Sequence, residues 1–209
     1  MSLREENAAH IKVDILNATL RAASKMDFKS TLVQELCTEV GISKVTFFKY
    51  FPQKEDVLLY YLRVWCLEAT LELKSGKLEG VDAIYYLFNK MAVSCKKRPG
   101  FMLGLVGYLS TISDHSKPFP FKKLERQMIF LDQPEVAHIE MQSIHQLFEK
   151  HLLHAILNNA ITKTSNVKQL VNLFTSLLFG TVLTARIQGV RQMGVLFKTN
   201  LDLMFRGLA

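Results

Sequence analysis

Apolar residues recur along this chain at the three- and four-residue intervals of amphipathic helices, and sustained period-two alternation is absent. Hairpin dipeptides such as Asn-Gly and Asp-Gly are missing too, so the pattern predicts an all-α fold. The first helix is expected from about Ala8 to Lys25, with Ile11, Ile15, Thr19 and Ala22 on one stripe and Leu16, Leu20 and Ala23 beside it. Met26-Asp27-Phe28 ends it, with Asp27 suited to a left-handed backbone and Phe28 folding back on the last turn. Ser30-Thr31 offers the next N-cap, and Leu32, Leu36 and Val40 give the second helix an apolar stripe that stops at Gly41. Ser43 caps a short third helix, Lys44 to about Tyr50, which Pro52 terminates. A fourth helix runs from Lys54 to about Leu73, before the polar break Lys74–Gly80.

Further helices are expected at roughly 81–95, 100–112, 121–131, 135–160, 166–189 and 194–207. Pro99-Gly100 separates the first two, Ser113–Pro120 forms a loop, Thr164-Ser165-Asn166 caps the fifth, and Gly189 breaks the chain before the last. The division expected from this pattern is an N-terminal domain over 1–60 and a helical domain over 61–209.

Composition narrows the class. Hydrophobic residues make up 49% of the 209 and charged residues 22%, which is globular rather than disordered. Three widely spaced cysteines argue against a disulfide framework and fit a reducing, cytoplasmic setting. The polar first ten residues do not resemble a signal peptide. The longest uncharged apolar run, Gln169–Ala185, is shorter than the about 20 residues of a spanning helix and reads as a buried one, so no membrane association is expected. Net charge is +7, which favours a polyanionic partner. Residues 1–63 are nearly neutral, yet 43–54 carry Lys44, Lys49 and Lys54 with no acid. No Gly-rich phosphate loop, H-E-x-x-H or G-x-S-x-G motif is present, so no catalytic site, metal or cofactor is assigned.

The informative segment is Thr31–Lys54. Two short helices flank a turn at Gly41, with Ile42, Phe47 and Phe51 completing a small core. Lys44, Val45, Thr46, Phe48 and Lys49 are left facing outward on the second helix. A bracing helix beside an exposed, cationic, hydroxyl-bearing one is the arrangement that lets a helix enter the major groove of double-stranded DNA. The same turn also suits an ordinary αα-corner.

Gly41-Ile42-Ser43-Lys44-Val45-Thr46-Phe47-Phe48-Lys49-Tyr50-Phe51, followed by Lys54-Glu55-Asp56-Val57-Leu58, resembles the TetR family of bacterial transcriptional regulators. The likeness extends back through Thr31 and Ile15-Leu16-Asn17-Ala18, over about 11–60. It implies a three-helix DNA-binding domain and a C-terminal helical domain for ligand binding and dimerisation. By position it implies DNA contacts at Thr31, Gln34, Lys44, Val45, Thr46, Phe48, Lys49 and Lys54. Simple capping is the alternative for Thr31. The chain departs from the family pattern at Phe48, where tyrosine is usual, at Asp27, where glycine is usual, and at Val45, where a small residue is common.

Two later stretches carry the remaining expectations. Helices 135–160 and 166–189 are apolar enough to need more cover than one chain easily supplies, and the resemblance implies that they pair with their copies in a homodimer. Candidate interface residues are Ile144, Phe148, Leu152, Leu170, Phe174, Leu177 and Thr181. The Met- and aromatic-rich stretch from Phe101 to Phe130 is consistent with plain core, while the resemblance implies a cavity for an apolar or aromatic small-molecule effector. Its candidate residues are Met102, Leu105, Tyr108, Phe121, Met128, Met141 and Phe174. His138 and His145, with Met141 between them, fall on one expected helical face, and Cys95 lies beside Lys96-Lys97-Arg98, where a thiol pKa is lowered. The function expected is a homodimeric repressor of a near-palindromic operator, released by a small ligand. The alternative is a helical dimeric ligand- or metal-binding protein with weak or lost DNA binding.

Overall fold

The structure is a computed structural model that describes residues 2–24, 26–112, 119–162, 166–190 and 192–208. Among these there are ten α-helices and no strand: α1 (Leu3–Ala22), α2 (Val33–Val40), α3 (Lys44–Tyr50), α4 (Asp56–Ser75), α5 (Gly80–Lys97), α6 (Pro99–Leu109), α7 (Lys123–Ile129), α8 (Ile144–Leu157), α9 (Val167–Ile187) and α10 (Met193–Leu208). The all-α expectation is met. Lys25, most of the expected loop over 113–118, and Thr164-Ser165 lie outside the described residues.

The chain forms two compact units. The first comprises residues 1–65 and 98–141, the second 66–97 and 142–209. In the first, α1 begins earlier than its apolar stripe suggests, because Ser2 and Glu5 close a reciprocal capping box. A 3-10 turn over Phe28–Ser30 follows. Asp27 is extended there (φ −65°, ψ 145°), not left-handed, so the expected strain at this position does not exist. It lies against Gly100 of α6, where an added Cβ would sit 2.9 Å from the Asp27 Cα. Phe28 is buried, edge-on to Phe101 at 5.7 Å.

The expected helix 135–160 is corrected. Pro134 opens only a 3-10 turn, Pro134–Ala137, and α8 starts at Ile144, where Ser143 and Gln146 form a second capping box. Arg126 donates to the carbonyl of Ile139 at 3.0 Å, which engages that backbone outside any helix. Met141 and His138 are therefore not on the face of α8, and the proposed pairing of His138 with His145 on one helix dissolves.

The second unit is built on α5, α8, α9 and α10. Phe88 meets Phe197 edge-on at 5.3 Å and Phe148 at 5.8 Å, and Phe174 meets Phe205 at 5.4 Å. α9, at 21 residues, is long and apolar enough to cross a membrane by length and composition, longer than its uncharged run suggests. One side of it, including Leu170, Phe174, Leu178 and Thr181, is nevertheless buried in this core.

Candidate nucleic-acid interface

The bracing helix α2 ends where Gly41 adopts φ +74°, and the Ile42 N–H closes the turn onto the Cys37 carbonyl at 2.9 Å. A left-handed residue is what turns the chain sharply enough to start α3 three residues later. Ser43 caps α3, accepting the Thr46 N–H at 3.1 Å and pairing with the Thr46 hydroxyl at 3.0 Å. Phe47 and Phe51 are fully buried. With both ends pinned and both of these rings inside, α3 has one orientation left, which exposes Lys44, Val45, Phe48 and Lys49. Val45 is 81% exposed and Phe48 44%. Two cations and two apolar side chains suit phosphates and thymine methyls respectively. Lys49 Nζ also lies 5.6 Å from the Tyr50 ring centroid.

Other expected contacts are less open. Thr46 is half-buried, with its hydroxyl engaged by Ser43. Thr31 does not cap α2, whose N-cap is Leu32, and its buried hydroxyl has no hydrogen-bond partner. Leu32 is 58% exposed, so the buried side of α2 is Leu36 and Cys37, not the stripe that begins at Leu32. Gln34 is exposed. Lys54 is not presented as a free cation. Its ammonium donates to the carbonyls of Phe28, Lys29 and Thr31 at 3.2–3.3 Å and sits 4.9 Å from the Phe28 ring centroid.

Behind α3 lies a feature that sequence reasoning missed. Phe51 stacks on Phe119 at 5.3 Å, and Tyr60 meets Phe119 and Phe121 edge-on. Lys12 of α1, buried beneath these rings, donates to both oxygens of buried Glu125 at 2.9 Å and to the Pro120 carbonyl at 3.0 Å. Burial pulls the Lys12 ammonium below the ordinary lysine range, against the opposing pull of Glu125. The end of the expected loop and the residues after it thus form part of the wall that holds the exposed helix. The only available signal was the Phe119-Pro120-Phe121 cluster.

The expected cavity residues divide between the units: Phe174 belongs to the second, and Met102, Leu105, Tyr108, Phe121, Met128 and Met141 to the first. Met102, Leu105, Phe121 and Phe174 are core. The interface candidates mostly face inward. Ile144, Phe148, Leu152, Leu170, Phe174 and Thr181 are all buried within their own unit, and only Leu177 is partly exposed. Turning a buried phenylalanine outward forfeits about 1.5–3 kcal/mol, so burial commits these side chains to their own core. The large apolar residues that α8 and α9 expose are Leu153, Leu157, Leu173, Leu183 and Ile187.

Cys95 is also corrected. Burial pushes its thiol up to about 12, the opposite of the expected lowering. His154 contacts Glu79 at 2.9 Å, while His151 is buried with Nδ1 unpartnered and its pKa is pulled down to about 4 by burial.

Residues 15–61 match the family described as bacterial regulatory proteins, tetR family. No curated protein matches the chain. Among solved structures, it is similar to the reduced form of E. coli NemR (16% identity, 95% of this chain and 98% of that one, TM-score 0.60). It is also similar to a TetR transcriptional regulator from Rhodococcus sp. RHA1 (18%, 98% and 100%, 0.60). A third similar structure is the transcriptional regulator FadR from Bacillus subtilis in complex with stearoyl-CoA (16%, 94% and 98%, 0.63).

Proposed function

Given that residues 15–61 match the tetR family of bacterial regulatory proteins, and that the whole chain has the fold of such regulators, we propose that this protein is a DNA-binding transcriptional regulator. It acts as a homodimeric cytoplasmic repressor on a near-palindromic operator and is released by a small ligand. Residues 1–60 carry the DNA contacts, and 61–209 carry dimerisation and regulation. The observation that carries this reading is the exposed face of α3, with Lys44, Val45, Phe48 and Lys49 outward while Phe47 and Phe51 are buried. A dimer presents two such helices, hence the two half-sites. Repression and release rest on the similarity to regulators, one of them bound to stearoyl-CoA.

The dimer face in this reading is the exposed side of α8 and α9. Leu173, Leu177, Gly180, Thr184 and Ile187 recur at intervals of four and three along α9, a stripe with small residues in its middle, and Leu153 and Leu157 add to the exposed apolar surface on α8. The competing reading, a helical dimer with weak DNA binding, draws support from the engagement of Lys54 by backbone carbonyls.

Fluorescence anisotropy against DNA flanking the protein's own gene decides between them. Salt-dependent binding with a steep log–log slope is expected, and salt-independent or absent binding rejects the regulator. Light scattering at twice the 23.9 kDa of one chain is expected, with Leu173→Glu/Ile187→Glu returning the single-chain mass.

A further inference from the structure

Within the first unit, a groove of about 550 Å³ opens between α1, α3 and α7, a volume in the range of small-molecule sites. Its walls are mainly apolar: Ala8 and Ala9 of α1, Pro52, Phe119, and Leu124 of α7. Its rim carries Lys49 of α3 with Lys122 and Lys123. Among the described residues no salt bridge pairs any of these three with a carboxylate. Two acids line the groove. Glu125 is matched by Lys12, and Glu5 is held by the N–H and hydroxyl of Ser2 at 3.1 Å. Three cations against one exposed acid, around an apolar wall with an aromatic ring, define the ligand chemistry.

We propose that this groove binds a small amphipathic carboxylate, with its apolar body against Ala8, Phe119 and Leu124 and its carboxylate among Lys49, Lys122 and Lys123. This deepens the reading above, because Lys49 is also an exposed cation of α3, and an anion that holds it removes it from DNA phosphates. The ligand class follows from two features that act together. Apolar walls favour burial of a hydrocarbon or ring at about 25 cal/mol per Å², and the lysines select against its neutral and cationic counterparts.

The test is isothermal titration of the full chain, without DNA, with 2-naphthoate, 2-naphthamide and 2-naphthylmethylammonium. Because no DNA is present, failure of the regulator reading does not affect the outcome. The expected result is saturable 1:1 binding of naphthoate per chain, about tenfold or more tighter than the amide, with no detectable binding of the ammonium. Lys49→Ala and Lys122→Ala/Lys123→Ala should each weaken naphthoate by about threefold to fivefold, the scale of exposed charge pairs. Ala8→Phe, which fills the groove without changing charge, should abolish binding. Lys168→Ala, in the second unit, should leave it unchanged. Circular dichroism of each variant separates lost binding from lost folding, and Ala8→Phe and Lys49→Ala alter partly or fully exposed positions on helices whose cores are untouched. Equal affinity for naphthoate and the amide, no binding of naphthoate at millimolar concentration, or full binding by folded Ala8→Phe overturns the proposal.

Discussion

Replacing Lys12 by methionine isolates the buried ion pair behind α3. The substitution keeps the length and apolar stem of the side chain and deletes only its charge. The Lys12 and Glu125 side chains are 9% and 3% exposed, so the carboxylate left behind cannot recruit much water. It keeps the Lys122 N–H at 3.3 Å, with the buried Tyr60 hydroxyl close beside it. Removing one partner of such a pair costs about 3–5 kcal/mol, because an uncompensated charge stays in a poorly solvated site. For a protein of this size that lowers the unfolding temperature by about 10 °C. The double variant Lys12→Met/Glu125→Leu should fall within about 1 kcal/mol of the wild type, since burial already outweighs Glu125 in setting the Lys12 pKa. Trp65, the only tryptophan and a buried residue of the first unit, supplies the fluorescence signal for urea unfolding. The single variant's deficit should also narrow as pH falls, because an unpaired buried carboxyl binds its proton more tightly folded than unfolded. A single variant within about 0.5 kcal/mol of the wild type, or a double variant as unstable as the single, refutes this account.

Lys49→Ala should reduce the slope of log affinity against log salt by about one, with stability almost unchanged. Lys54→Ala should instead destabilise the fold by about 1–2 kcal/mol, read as a lower urea midpoint, because three carbonyls lose a charged donor; an unaltered midpoint would exclude that role. His151, whose pKa falls to about 4 from 6.5, takes up a proton in the unfolded chain before the folded one. It therefore withdraws stability as pH falls from 6.5 towards 4, by up to about 1.4 kcal/mol per pH unit. His151→Leu should flatten that part of a pH–stability curve without loss at pH 7, and an identical curve would remove the assignment. Gly100→Ala should destabilise by more than about 1 kcal/mol in thermal unfolding, since its Cβ meets the Asp27 backbone; wild-type stability would mean that the Asp27 segment moves aside at no cost.

The exposed helix was legible because local chemistry specifies it almost completely. Gly41, Ser43 and Pro52 mark its ends, and α3 runs over the expected residues, Lys44–Tyr50. Two buried rings in a seven-residue helix then leave few ways to turn it. By contrast, α9 is apolar on nearly every side, so hydrophobicity could not tell which flank meets its own core; Phe174 and Thr181 went inward while Leu173 and Ile187 stayed out. The expected helix 135–160 is shorter because Pro134 starts only a 3-10 turn, while the Ser143–Gln146 box sets the true start at Ile144. Lys12 and Glu125 are 113 positions apart, and no periodicity links a lysine within an amphipathic helix to one particular distant acid.

Phe119 stacked on Phe51 has a consequence for anyone wishing to move the exposed helix α3 into another protein. Phe47 and Tyr60 also pack on Phe51, but the ring stacked on it, Phe119, arrives from a stretch nearly seventy positions downstream, past an intervening excursion through the second unit. A fragment cut after residue 65, or a chimera joined there, would leave that aromatic face wet. Loop closure over such a distance must also precede its formation, so this part of the molecule should mature late in refolding. A transplant that includes residues 98–141 keeps the seat intact, and one that omits them delivers α3 without its socket.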